Sequence, residues 1–115
     1  MKRKIFGCLL LALALIGSMV YAQEGYRGPS ANPVTVERAK GMRDDAAVTL
    51  RGKLEQFLGD EKYLFADDTG SIIVEIENKL WRGLSVDQND TVEITGEIDR
   101  DFKKIEVEVR SIKKI

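Results

Sequence analysis

The side chains that could do chemistry in this chain are mostly carboxylates. It carries nineteen Asp and Glu, no histidine and a single cysteine, Cys8. The lack of histidine removes imidazole general-base catalysis, Ser-His triads and ordinary zinc sites together. A catalyst would need a Ser or Thr nucleophile, or two carboxylates acting as acid and base. The candidate pairs are Asp44–Asp45, Asp60–Glu61, Asp67–Asp68 and Asp99/Asp101. Each falls at an expected turn or element boundary, where Asp is favoured because it hydrogen-bonds its own backbone. A glycosidase needs two carboxylates facing across a cleft, and a small domain offers little cleft. The expectation is a non-enzyme without a cofactor. Asp67, Asp68 and Thr69 supply some oxygens for a divalent cation, but calcium takes about six to eight and the EF-hand spacing is missing. Asp67 and Asp68 are therefore only a weak metal candidate.

The first 22 residues bear on where any activity takes place. Lys2, Arg3 and Lys4 precede an uncharged stretch from Ile5 to Ala22, which ends in Val20-Tyr21-Ala22. This is the pattern of a secretory signal peptide with Gln23 as the new N-terminus. An uncleaved membrane anchor is the alternative reading, since the stretch is just long enough to span a bilayer. It fits less well because the apolar part ends in small residues and not in a charged stop. Cys8 sits inside the signal behind a bulky Phe6, which does not suit lipidation. The mature chain keeps fifteen basic and nineteen acidic side chains, a net charge of −4, with no thiol. It must stand on its hydrophobic core alone.

Elements follow from the periodicity. Residues 23–33 hold Pro29 and Pro33 with Gly25 and Gly28 and read as an extended leader, leaving 34–115 as the domain. Val34 to Met42 reads as a short helix capped by Thr35, with Val36, Ala39 and Met42 on its core face. From Asp45 the period becomes two. Val48, Leu50, Gly52 and Leu54 face inward against Thr49, Arg51, Lys53 and Glu55. Strands are expected over Lys62 to Asp67, around Ile72 to Glu77, from Thr91 to Asp99 and from Phe102 to Ile112. Asp99-Arg100-Asp101 is the expected last turn. Asn78 to Gly83 suits one helical turn, with Asn78 as its cap. Five strands with a helical turn between the third and fourth match the OB-fold, a small Greek-key barrel. Gly52 and Gly96 lie on inward faces where strands must coil and approach closely.

An ordered set of motifs carries a family resemblance. It comprises Gly25-Tyr26-Arg27-Gly28-Pro29, Val36 to Met42 with Arg43-Asp44-Asp45, and Val48-Thr49-Leu50-Arg51-Gly52. It continues with Phe65-Ala66-Asp67-Asp68-Thr69-Gly70, Leu80-Trp81-Arg82-Gly83 and Asp90 to Asp99. With these the chain resembles the bacterial OB-fold (BOF) family, the YgiW/YdeI group of exported stress-tolerance proteins. One departure is Tyr26, where the family more often shows Phe. The resemblance implies a periplasmic OB-fold protein without established catalytic activity and with a role in tolerating envelope stress.

Nucleic acid is the obvious OB-fold ligand, and the residues argue against it. Glu75, Glu77, Glu93, Glu97, Glu106 and Glu108 fall on expected solvent faces, whereas single-strand binders need a positive groove with aromatic platforms. Two binding readings remain. An envelope glycan such as a peptidoglycan fragment would stack on aromatics and hydrogen-bond to polar groups, with Tyr26, Arg27, Asp67, Glu75, Trp81 and Arg82 as candidate ligand residues. Trp81 is equally readable as a core plug. Alternatively, the domain docks on an envelope or membrane protein through the leader or through an edge strand.

Overall fold

The computed structural model describes residues 32–115. The expected signal peptide, Tyr26, Arg27 and nearly all of the leader lie outside the described residues. The elements are α1 (Val36–Ala39), β1 (Ala47–Gly59), β2 (Lys62–Asp67), β3 (Gly70–Glu75), a 3-10 turn (Asn78–Leu80), β4 (Val92–Arg100) and β5 (Ile105–Lys114). The strands close into a barrel in the order β1-β2-β3-β5-β4, with β4 pairing back onto β1. Every pairing is antiparallel except β3 with β5. This is the five-stranded OB-fold with Greek-key crossover.

Alternation builds the core. Val48, Leu50 and Leu54 of β1, Phe65 of β2, and Ile72 and Val74 of β3 are buried together with Val92, Ile94 and Ile98 of β4 and Val107 and Val109 of β5. β1 is long enough to serve two partners. Its first half pairs with β4 from Ala47↔Glu97 to Gly52↔Val92, and its second half pairs with β2 from Lys53↔Ala66 onward. The handover falls at Gly52. A Cβ there would collide with the Ala66 carbonyl oxygen and stand 3.0 Å from Phe65 Cζ. Gly96 is equally tight, because a Cβ would strike the Glu108 carbonyl and sit 2.9 Å from Val109 Cα. At both positions only a hydrogen fits.

The helix is shorter than expected, four residues and not nine. Thr35 caps it as anticipated, its Oγ1 accepting from Arg38 N at 3.1 Å. A second cap comes from the β2–β3 turn. Asp67 Oδ2 accepts from Val36 N at 2.9 Å, and Thr69 Oγ1 accepts from Glu37 N at 3.0 Å. The following turn is held by Arg100, whose guanidinium donates to the carbonyls of Met42 (3.0 Å) and Lys40. So anchored, α1 crosses one end of the barrel and inserts Val36 and Ala39 into the core.

Several boundaries differ from expectation: β3 ends at Glu75 and not at Glu77, and β5 continues to Lys114 and not only to Ile112. The last turn runs from Asp101 to Lys104, because Asp101 Oδ1 accepts the backbone N–H groups of Lys103 (2.8 Å) and Lys104 (3.0 Å); β5 therefore starts at Ile105 and not at Phe102. Asn78 is not the cap of the 3-10 turn. Glu77 holds that position without a side-chain bond. Two expected solvent-facing residues are also buried. Thr49 lies beside Val34, whose N–H donates to the Thr49 carbonyl at 2.9 Å, and Glu106 lies under Lys62 and Lys104. Among the described residues no helix is long and apolar enough to cross a membrane.

Candidate functional site

The site begins with an irregularity in β1. Leu54 pairs with Phe65 and Gln56 with Leu64, so Glu55 is an extra residue, a β-bulge. The bulge shifts the side-chain register by one. Phe57 therefore returns to the face of Leu54 and pairs with Tyr63. The β1–β2 hairpin extends past the closed part of the barrel, so Phe57 remains 61% exposed there. The hairpin turn uses Asp60 and Glu61, both at positive φ (53° and 64°).

Glu61 then organises the segment after β3. Its carbonyl accepts from Ile76 N at 2.8 Å, and its carboxylate accepts from Asn78 N at 2.7 Å. This pins the 3-10 turn against the hairpin and sets Trp81 beside Tyr63. The ring centroids of Phe57 and Tyr63 are 5.1 Å apart at 48°, and those of Tyr63 and Trp81 are 5.7 Å apart at 65°. Such tilted and edge-on pairs add about 0.5–1.5 kcal/mol beyond area burial. The opposite wall is Val86 to Gln88. It is fixed by a small turn in which Asp90 Oδ2 accepts from Asp87 N at 2.9 Å and Asp87 Oδ1 accepts from Asn89 N at 2.8 Å. The bond from Asp87 N, with Lys114 nearby, holds the Asp90 carboxyl below the usual carboxylate range. Between the walls lies a cleft of about 290 Å³ lined by Leu54, Phe57, Tyr63, Trp81 and Val86, with Glu55, Gln56, Asp87 and Gln88 at its polar edge.

Of the residues singled out from sequence, the four that are described, Asp67, Glu75, Trp81 and Arg82, are not brought together. Trp81 lines the cleft while its ring also packs against the core. Arg82 is exposed in the turn beyond it, at φ 47°, and does not line the cleft. Glu75 is half-buried on the outer face of β3, between Lys62 and Glu108. Asp67 is at the other end of the barrel. Both its oxygens are engaged, Oδ2 by Val36 N and Oδ1 by Thr69 N (2.8 Å) and Thr69 Oγ1 (2.6 Å). Burial pushes the Asp67 carboxyl up, but these bonds and one from Gly70 N outweigh it and leave it below the usual range. Among the described residues no group of three or more His, Cys, Asp or Glu is placed to hold a metal, and Asp67 works as a helix clamp. Sequence reading missed Phe57 and Tyr63 as site residues. Phe57 breaks the even-numbered inward pattern of β1, and that break was the available signal.

A closed five-strand barrel in this strand order, with a short helix packed into its core, defines an OB-fold protein. The model of the Bacterial OB fold (BOF) protein family matches residues 17–114, and the chain belongs to that family. It is 39% identical to Protein YgiW of Escherichia coli (strain K12), over 97% of this chain and 98% of that protein. It is 34% identical to the calcium-regulated OB-fold protein CarO of Pseudomonas aeruginosa, over 93% of each chain. The solved structure of the hypothetical protein ygiW from E. coli superposes with a TM-score of 0.75 at 46% identity, covering 79% of this chain and 98% of that one. Telomere capping protein Ten1 from Saccharomyces pombe (TM-score 0.56, 16% identity, 74% and 81% covered) shares the fold alone.

Proposed function

We propose that this chain is a non-enzymatic binding module, exported to the periplasm by residues 1–22, which supports tolerance of envelope stress by holding an envelope glycan such as a peptidoglycan fragment. The observation that carries the reading is the Phe57–Tyr63–Trp81 cleft. It is concave, aromatic and edged by the amides of Gln56 and Gln88, the combination of stacking surface and hydrogen-bond partners that a sugar ring requires. A co-sedimentation assay with purified sacculi at low salt tests it. The wild-type protein is expected in the pellet, and Phe57→Ala and Trp81→Ala in the supernatant. Recovery of all three in the supernatant removes the glycan reading.

One observation favours the second reading, docking on an envelope protein. Phe102 is 93% exposed at the tip of the β4–β5 turn, held outward by the Asp101 bonds. Pairing around the whole barrel leaves little edge for a partner strand, so such docking would use this tip. A photocrosslinker at position 102 in intact cells tests it, and absence of any discrete adduct counts against it.

A further inference from the structure

We infer that the aromatic cleft selects an organic cation, an ammonium group carried by its ligand. The inference rests on the cleft being the binding site, and two independent properties of its lining carry it.

The first is the angle between its rings. Phe57 is inclined 48° to Tyr63, and Tyr63 65° to Trp81. A flat platform would stack one sugar face. Rings set at angles form a corner, which a compact rounded group fills. Aromatic faces are electron-rich, and a cation within about 6 Å of their centroids is attracted by about 0.5–2 kcal/mol. A tetrahedral ammonium has both the shape and the sign for such a corner.

The second is charge. No Lys or Arg lines the cleft, and its only ionisable residues apart from Tyr63 are Glu55 and Asp87. Glu55 is the bulge residue, exposed, and it makes no hydrogen bond or ion pair among the described residues. The bulge that turns Phe57 into the cleft thus also places at its rim a carboxylate that has no ion pair among the described residues. The cleft around Gly52 (about 350 Å³) differs on both counts. It shares Glu55 with the Trp81 cleft but is lined also by Arg51 and Lys53 together with Asp67 and Asp68, and by no aromatic ring. The combination of rings and unneutralised acids belongs to the Trp81 cleft alone of these two.

An ammonium group can be presented by an amino sugar with a free amine or by a small quaternary ammonium compound. The two share the recognised chemistry and are separable by titration. Trp81 is the only tryptophan of the chain, so its emission reports this cleft. Two matched pairs of probes are titrated at low salt, choline against its neutral isostere 3,3-dimethylbutan-1-ol, and glucosamine tetramer against N-acetylglucosamine tetramer. In at least one pair the cation is expected to bind about tenfold more tightly, as about 1.4 kcal/mol requires. Glu55→Gln with Asp87→Asn is expected to reduce that preference to under about threefold. The pair that shows the preference names the source. Equal binding within both pairs, or a preference that survives the double substitution, overturns the inference. Binding of both tetramers alike, with choline and its isostere also alike, leaves the glycan reading standing without the inference. Binding of choline and neither tetramer does the reverse. No saturable change with any probe removes both.

Discussion

Lys62 Nζ reaches over β3 to donate to both carboxylate oxygens of Glu106, at 3.0 and 3.1 Å. The pair ties β2 to β5 across the outer face of the sheet, where Leu64 and Ile73 face each other in register. The hydrogen bond to Glu106 raises the Lys62 ammonium above its ordinary range against the opposing effect of burial. The Glu106 side chain is only 8% exposed, and Lys104 approaches it at 3.5 Å. Removing one partner leaves a charge in a half-dry place. Lys62→Met is expected to lower stability by about 2 kcal/mol. Lys62→Met with Glu106→Leu is expected to return to within about 1 kcal/mol of wild type, because an apolar pair can replace a buried ion pair. Urea denaturation checks both, and a double variant no better than the single one would refute the coupling.

Asp67 gives the acid response. Its carboxyl lies below the ordinary value of about 3.9 because of bonds from Thr69, Val36 and Gly70, which overcome the effect of burial. Protonation is therefore harder in the folded protein than in the unfolded chain. The stabilisation is complete above about pH 4 and is lost as pH falls through the lower, folded value. Thermal melts between pH 7 and pH 2 should show a shallower acid limb for Asp67→Asn than for wild type. Asp67→Ala removes the cap outright and is expected to lower stability by about 1–2 kcal/mol at neutral pH.

The two close approaches predict a matched pair of failures. Gly96→Ala drives a methyl into the Glu108 peptide, and Gly52→Ala drives one into the Ala66 carbonyl and the Phe65 ring. Backbone cannot step aside as a side chain can. Each substitution is expected to lower stability by about 3 kcal/mol. Gly41→Ala, whose new Cβ would meet only the Arg38 carbonyl at an ordinary 3.6 Å, is the control and should stay within about 0.5 kcal/mol. A Gly96→Ala melt indistinguishable from wild type would show that the strands are not so closely apposed.

Phe57 and Phe65 share the inward face of the β1–β2 hairpin and should behave in opposite ways. Phe65 is fully buried, and Phe57 is mostly exposed. Phe65→Ala is expected to cost about 3–5 kcal/mol. Phe57→Ala should cost less than about 1 kcal/mol and still abolish ligand response at Trp81. Loss of stability in Phe57→Ala comparable to that of Phe65→Ala would mean that Phe57 is part of the core and not of a site.

The barrel was legible because its strands alternate so plainly. Val48, Leu50 and Leu54, and later Ile105, Val107 and Val109, state their faces at period two, and Gly52 and Gly96 mark where the strands touch. The site was much less legible. Its position depends on one extra residue at Glu55, and a bulge leaves no distinctive composition behind it. Without the bulge Phe57 reads as solvent-facing, Tyr63 reads as core, and Trp81 stands alone. Asp67 misled for the opposite reason. A carboxylate beside Asp68 looks available until the partner 31 residues away is known, and that partner is the backbone N–H of Val36. Glu106 likewise follows the outward pattern correctly, yet its burial comes from Lys62, which is 44 positions distant.

The parallel seam between β3 and β5 has a kinetic consequence. β5 spans Ile105–Lys114 and pairs with β3 through Ile73↔Glu106, far along the sequence from it, and the cylinder does not close without it. β1 likewise waits for β4, with Val48 opposite Gly96. Contacts so remote in sequence form slowly, on the order of milliseconds to seconds. Ring closure is therefore expected to be the slow event of folding, set by the two most distant pairings and not by the local hairpins.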